Sequence, residues 1–84
     1  MRVERSFRGI SQRLARHYLS NLGGEEESDD RVVGEGWEAE LSSKKVSIGP
    51  SLSLTEVTVV FEGEEDTLDP LIDDFAQKAM RAGG

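Results

Sequence analysis

The chain has 84 residues, 17 acidic against 10 basic, a formal net charge of −7 and no cysteine. That length permits one domain, spanning residues 1–84, with one core. The missing thiols exclude disulfides, thiolate zinc sites, iron–sulfur clusters and cysteine nucleophiles, and they fit a reducing compartment.

Met1-Arg2-Val3-Glu4 lacks the unbroken apolar stretch of a signal peptide, and the longest apolar run, Val59-Val60-Phe61, is far too short to cross a bilayer. The expectation is a cytoplasmic protein. Its acidity argues against nucleic acid and anionic membranes as partners. Acid-rich, poor in lysine (Lys44, Lys45, Lys78) and poor in aromatics, the composition points to a halophilic setting, where concentrated salt screens the self-repulsion. The charge is uneven: residues 1–24 carry five arginines against the single acid Glu4, a pattern that marks either an anion-binding end or a basic segment packed beside acidic strands.

In chain order, Met1, Val3 and Phe7 alternate with Arg2, Glu4 and Arg8 and predict a first strand, ended by Gly9. Ser11 is placed to cap a helix running to about Leu22, with Ile10 and Ala15 as a hydrophobic staple. Leu14, Ala15, Tyr18, Leu19 and Leu22 share one face; Gln12, Arg13, Arg16, His17 and Ser20 take the other. Gly23-Gly24 stops the helix. Residues 25–30, Glu-Glu-Glu-Ser-Asp-Asp, read as a solvated loop without the spacing of a calcium site.

From Arg31 the period becomes two. Val33 leads into a bulge or turn at Gly34-Glu35-Gly36, after which Trp37, Ala39 and Leu41 face one side and Glu38 and Glu40 the other. Ser42-Ser43-Lys44-Lys45 reads as a hairpin connection to a strand with Val46 and Ile48, broken at Gly49-Pro50. Leu52 and Leu54 fall on even positions but Val57, Val59 and Phe61 on odd ones, so a bulge or bend is expected at Thr55-Glu56. Gly63 to Thr67 forms an acidic loop, and Asp69-Pro70 supplies the cap and first turn of a second helix. Leu68, Leu71, Ile72, Phe75, Ala76 and Ala79 make its apolar face, Asp73 and Asp74 at its start and Lys78 and Arg81 at its end complementing the helix dipole.

The expected fold class is α+β, in the order β-α-β-β-β-(β)-α: a curved antiparallel sheet with two helices on one face. Its other face is then solvated or serves for interaction.

Few groups qualify for chemistry. His17 lies on the polar side of the first helix with no second histidine to share a metal, and Gly34-Glu35-Gly36 lacks the glycines and the following helix of a phosphate cradle. No catalytic, metal or cofactor site is expected, and no enzyme. Trp37 reads as core. Two sets of residues remain as candidates: Arg8, Arg13, Arg16 and His17 for contact with an anion or partner, and Gly83-Gly84 for C-terminal conjugation, since ubiquitin-like sulfur carriers end in such a pair. Here the pair abuts a helix end, where glycine is also the ordinary cap.

Arg8-Gly9-Ile10, the helix end Asn21-Leu22-Gly23-Gly24, Gly34-Glu35-Gly36-Trp37-Glu38-Ala39 and the closing helix to Met80-Arg81 together resemble the C-terminal domain of MoaD-related proteins, a domain of unknown function. That domain follows a ubiquitin-like sulfur-carrier domain in some bacteria and resembles short stand-alone proteins of salt-loving archaea. The resemblance implies a TATA-binding-protein-like architecture and an association with molybdopterin biosynthesis. It supplies no functional residues.

The leading expectation is a non-catalytic binding domain with a protein partner, beside a molybdopterin or sulfur-carrier system. The alternative is a Gly-Gly-terminated modifier or sulfur carrier activated at Gly84. A nucleic-acid or anion binder using the arginine-rich segment ranks last.

Overall fold

The computed structural model describes residues 1–83. Its elements are β1 (Arg2–Arg8), α1 (Gln12–Asn21), β2 (Glu25–Ser28), β3 (Arg31–Gly34), β4 (Trp37–Gly49), β5 (Leu52–Gly63) and α2 (Glu65–Gly83). The strands form one antiparallel sheet in the order β1-β5-β4-β3-β2. The first strand thus closes beside the last, and the middle strands descend as a meander.

Local chemistry sets α1 at both ends. Ser11 accepts a hydrogen bond from the Leu14 amide at 3.0 Å, and Gly23, at φ 103°, lets the Gly24 amide reach back to the Leu19 carbonyl at 3.0 Å. Ala15 and Leu19 of α1 and Leu68, Leu71, Ile72, Phe75 and Ala79 of α2 share one core with Trp37, Ala39, Leu41, Val57, Val59 and Phe61. The strand residues in that set are all odd-numbered, so both helices cover the same sheet face. Phe75 joins the layers, its ring lying edge-on to Phe7, Tyr18 and Phe61 at centroid distances of 5.0, 6.3 and 5.8 Å.

Four expectations are corrected. Residues 25–28 are not a loop: Glu25 and Glu26 pair with Val33 and Val32 as an edge strand. An edge strand needs no apolar side chain of its own, and a row of carboxylates there also discourages further pairing. Ser42-Ser43-Lys44-Lys45 is no hairpin connection but the middle of β4, each residue paired with its counterpart in β5. The turn falls instead at Pro50-Ser51, between Gly49 and Leu52. The backbone of β5 is regular through Thr55-Glu56, and the register shift lies between Ser47 and Gly49 at the tip. Finally, α2 starts at Glu65, so Asp69-Pro70 is not its cap, and of the expected acidic loop only Glu64 remains outside helix and strand. Pro70 sits inside the helix; its exposure leaves water free to satisfy the carbonyl that its missing N–H cannot reach.

No helix among the described residues is long and apolar enough to cross a membrane.

Candidate functional site

The sheet face turned away from the helices is uncovered. Even-numbered residues of β1, β4 and β5 line it, arranged by register in rows across the strands. At the end near the Glu35-Gly36 turn it is acidic: Glu38 stands directly opposite Glu62, and Glu40 and Glu4 flank Val60. Like charges in opposite positions repel. Arg31 offsets this, reaching Glu38, Glu40 at 3.2 Å and Glu27 at 3.3 Å, while Arg2 lies 3.8 Å from Glu62. The centre of the face holds a hydroxyl pair, Ser6 and Thr58, 3.0 Å apart. Beyond it comes a charged row in which Arg8 donates to Glu56 at 3.0 Å and Lys44 stands 3.7 Å from the same carboxylate. The hydrogen bond from Arg8, reinforced by the charges of Lys44 and Arg8, holds the Glu56 carboxyl below the ordinary glutamate range against the opposing pull of desolvation.

Past that row the neighbouring strands end. Pairing of β1 stops at Arg8–Glu56, and β3 pairs with β4 only from Trp37 to Glu40. The rest of β4 and β5 projects as a two-stranded arm, which contributes to a long axis of 43 Å against 23 and 21 Å. In the arm the polarity inverts. The helix-side positions are Ser43, Lys45, Ser47, Ser53 and Thr55, whereas Val46 and Leu54 pair on the open face, with Leu52 on the same side. Ile48 sits at the bulge.

The sequence-derived candidates do not form one cluster. Arg8 belongs to the open face. Arg13, Arg16 and His17 lie on α1, on the other side of the sheet, around a surface concavity of about 550 Å³ shared with Ser11, Leu14 and Glu26. Arg16 is engaged there, donating to the Glu26 carboxylate at 2.8 Å and the Asp29 carbonyl at 2.7 Å. Arg13 and His17 are exposed. Gly83 is the last residue of α2, and Gly84 lies outside the described residues. Trp37 is core, 8% exposed. No group of three or more histidine, aspartate or glutamate side chains is placed to hold a metal among the described residues.

The Arg31 hub was missed in reading the sequence, although a signal for it existed. Once a two-residue turn is set at Glu35-Gly36, antiparallel pairing puts Arg31 opposite Glu40 and Val33 opposite Glu38. The arm has a signal too, the switch from even to odd apolar positions, which by itself predicts a bulge or a bend at Thr55-Glu56. These features set rows of paired charges, a hydroxyl pair and an apolar end on one uncovered face.

No curated protein matches the chain. The family model described as archaeal MoaD-like protein matches residues 3–84, which takes in both helices, all five strands and the open face, and the chain therefore belongs to the archaeal MoaD-like protein family.

Proposed function

We propose that the protein is a non-catalytic binding module that works beside a sulfur-carrier system of the MoaD kind in the cytoplasm. The observation that carries this reading is the uncovered sheet face, charged at one end and apolar at the other, on a chain without cysteine and with a single histidine. Family membership relates the chain to sulfur-carrier and ubiquitin-like proteins. We read the architecture as TATA-binding-protein-like, a sheet with both helices on one side; its bulk acidity favours a protein over nucleic acid as the occupant of the open face.

The test is titration calorimetry of the chain against a MoaD-type sulfur carrier and its activating enzyme from the same source. Binding to either, weakened at least tenfold by Arg31→Glu, is the expected result. No heat of binding with either protein, from a well-folded chain, overturns the reading.

A second reading follows from a family match that extends through Gly83 and Gly84: the chain itself is a modifier or carrier activated at the Gly84 carboxylate. Against it stands α2, which continues through Gly83 where a carrier needs an extended tail. Intact mass spectrometry of protein from its native cells decides this, through a thiocarboxylate mass or a Gly84–lysine linkage.

A further inference from the structure

The arm formed by β4 and β5 beyond Leu41 and Glu56 carries its apolar side chains on the wrong face for the fold. Both helices pack on the other side of the sheet, over Ala39, Leu41, Val57 and Val59, and stop short of the arm, where Ser43, Lys45, Ser47 and Ser53 are themselves exposed, so no described element covers Val46, Ile48, Leu52 and Leu54. Ile48, Leu52 and Leu54 remain 46%, 59% and 36% exposed. Together these residues expose an area on the order of 300 Å², the scale at which a patch on a monomer marks an interaction site. A two-stranded ribbon with one apolar face is also marginal by itself and gains from a further layer.

We propose that this face is covered by a second copy of the chain, the two arms packing face to face about a two-fold axis that runs along the arm. Charge complementarity selects that occupant. Lys44 and Glu56 are direct cross-strand partners on the open face, next to the apolar tip. A two-fold axis along the arm lays β4 of one copy over β5 of the other. Lys44 of each copy then meets Glu56 of the second copy, and Val46 meets Leu54. One rotation thus matches apolar with apolar and cation with anion. Turning the second copy end for end carries each Lys44–Glu56 row away from its counterpart. Sheet twist splays the two bodies apart beyond the arms, which leaves the Arg31 end of the face free. The interface buries on the order of 600 Å² in total, small for a permanent dimer, so the association is weak and concentration-dependent.

The inference is independent of the partner proposed above: arm pairing without binding of a sulfur carrier refutes only that reading, and the converse refutes only this one. Sedimentation equilibrium of the full chain from roughly 10 µM to 1 mM reads it out. The expected result is a monomer–dimer equilibrium that Leu54→Asp shifts to monomer, with circular dichroism showing each variant folded. Lys44→Glu alone and Glu56→Lys alone each set like charges against one another and abolish the dimer. An equimolar mixture of the two variants restores both ion pairs and forms a heterodimer. A wild-type chain that stays monomeric up to 1 mM overturns the proposal. So does a folded mixture that fails to associate, or a Leu54→Asp variant that dimerises as the wild type does.

Discussion

Gly34→Ala is a sharp test of how the core is assembled. Gly34 lies directly opposite Trp37 in the β3–β4 pair, and a methyl group built there would run into the indole at Cε2, Nε1 and Cζ2. The same ring leans over Gly24, where a methyl would stand 2.8 Å from Trp37 Cη2 and 2.5 Å from Val32 Cγ1. The indole therefore covers two glycines, one just before β2 and one at the end of β3, and closes the core where α1 ends. An alanine in a strand should by itself stabilise by roughly 0.5–1 kcal/mol over glycine. Overpacking costs about 1–3 kcal/mol when neighbours yield, and losing the buried Trp37 altogether would cost about 3–5 kcal/mol. The expected net loss, the overpacking cost less the alanine gain, is about 0.5–2 kcal/mol, equivalent to a fall in midpoint temperature of about 4–8 °C per kcal/mol for a domain of this size. Urea titration followed in parallel by Trp37 emission and far-ultraviolet circular dichroism measures it. The native emission should also shift to the red as the ring is pushed toward water. A Gly34→Ala protein as stable as the wild type, with unchanged emission, would refute the placement of Trp37 over the glycine.

Three further outcomes are expected. Pro70→Ala should raise stability by about 1–2 kcal/mol, because an exposed helix interior recovers a backbone donor and loses a ring clash, less the entropy the unfolded chain regains; a lowered thermal midpoint refutes this. Ser11→Ala should cost about 1 kcal/mol by stripping the Leu14 amide of its acceptor, while Ser11→Gly should cost only a few tenths, a contrast that thermal melts resolve. The lowered pKa of Glu56 adds stability that is complete above the ordinary glutamate value of 4.5 and disappears as pH falls through the lower folded value. Glu56→Gln should therefore flatten part of the acid limb of stability against pH, whereas a limb identical to that of the wild type shows the Arg8–Glu56 pair to be energetically silent.

Much of this protein was legible from residue order. Ser11 and Gly23-Gly24 bounded α1 through capping chemistry that involves only neighbours. The helical faces of Leu14 to Leu22 and of Leu68 to Ala79, and the odd-numbered core positions from Trp37 to Leu41 and from Val57 to Phe61, followed from period alone. The turn at Gly34-Glu35-Gly36 was readable as well, Gly36 adopting φ 78°. Capping and period act over a few residues, so the sequence contains them whole.

Tertiary structure decided what depends on neighbours distant in the chain. Glu25–Ser28 is a strand only because Val32 and Val33 offer it backbone partners, a fact to which its own carboxylates give no clue. Ser42 to Lys45 stay extended because β5 pairs along their whole length, overriding the turn-like composition. The shift from Leu52 and Leu54 to Val57 and Val59 is the clearest case. An apolar pattern that changes phase is compatible with an extra residue in the strand or with a regular strand whose covered side changes. Period records only which residues avoid water. Which side of the sheet has a helix over it is settled by where α1 and α2 pack, and beyond Glu56 they cover nothing on the side where the leucines point.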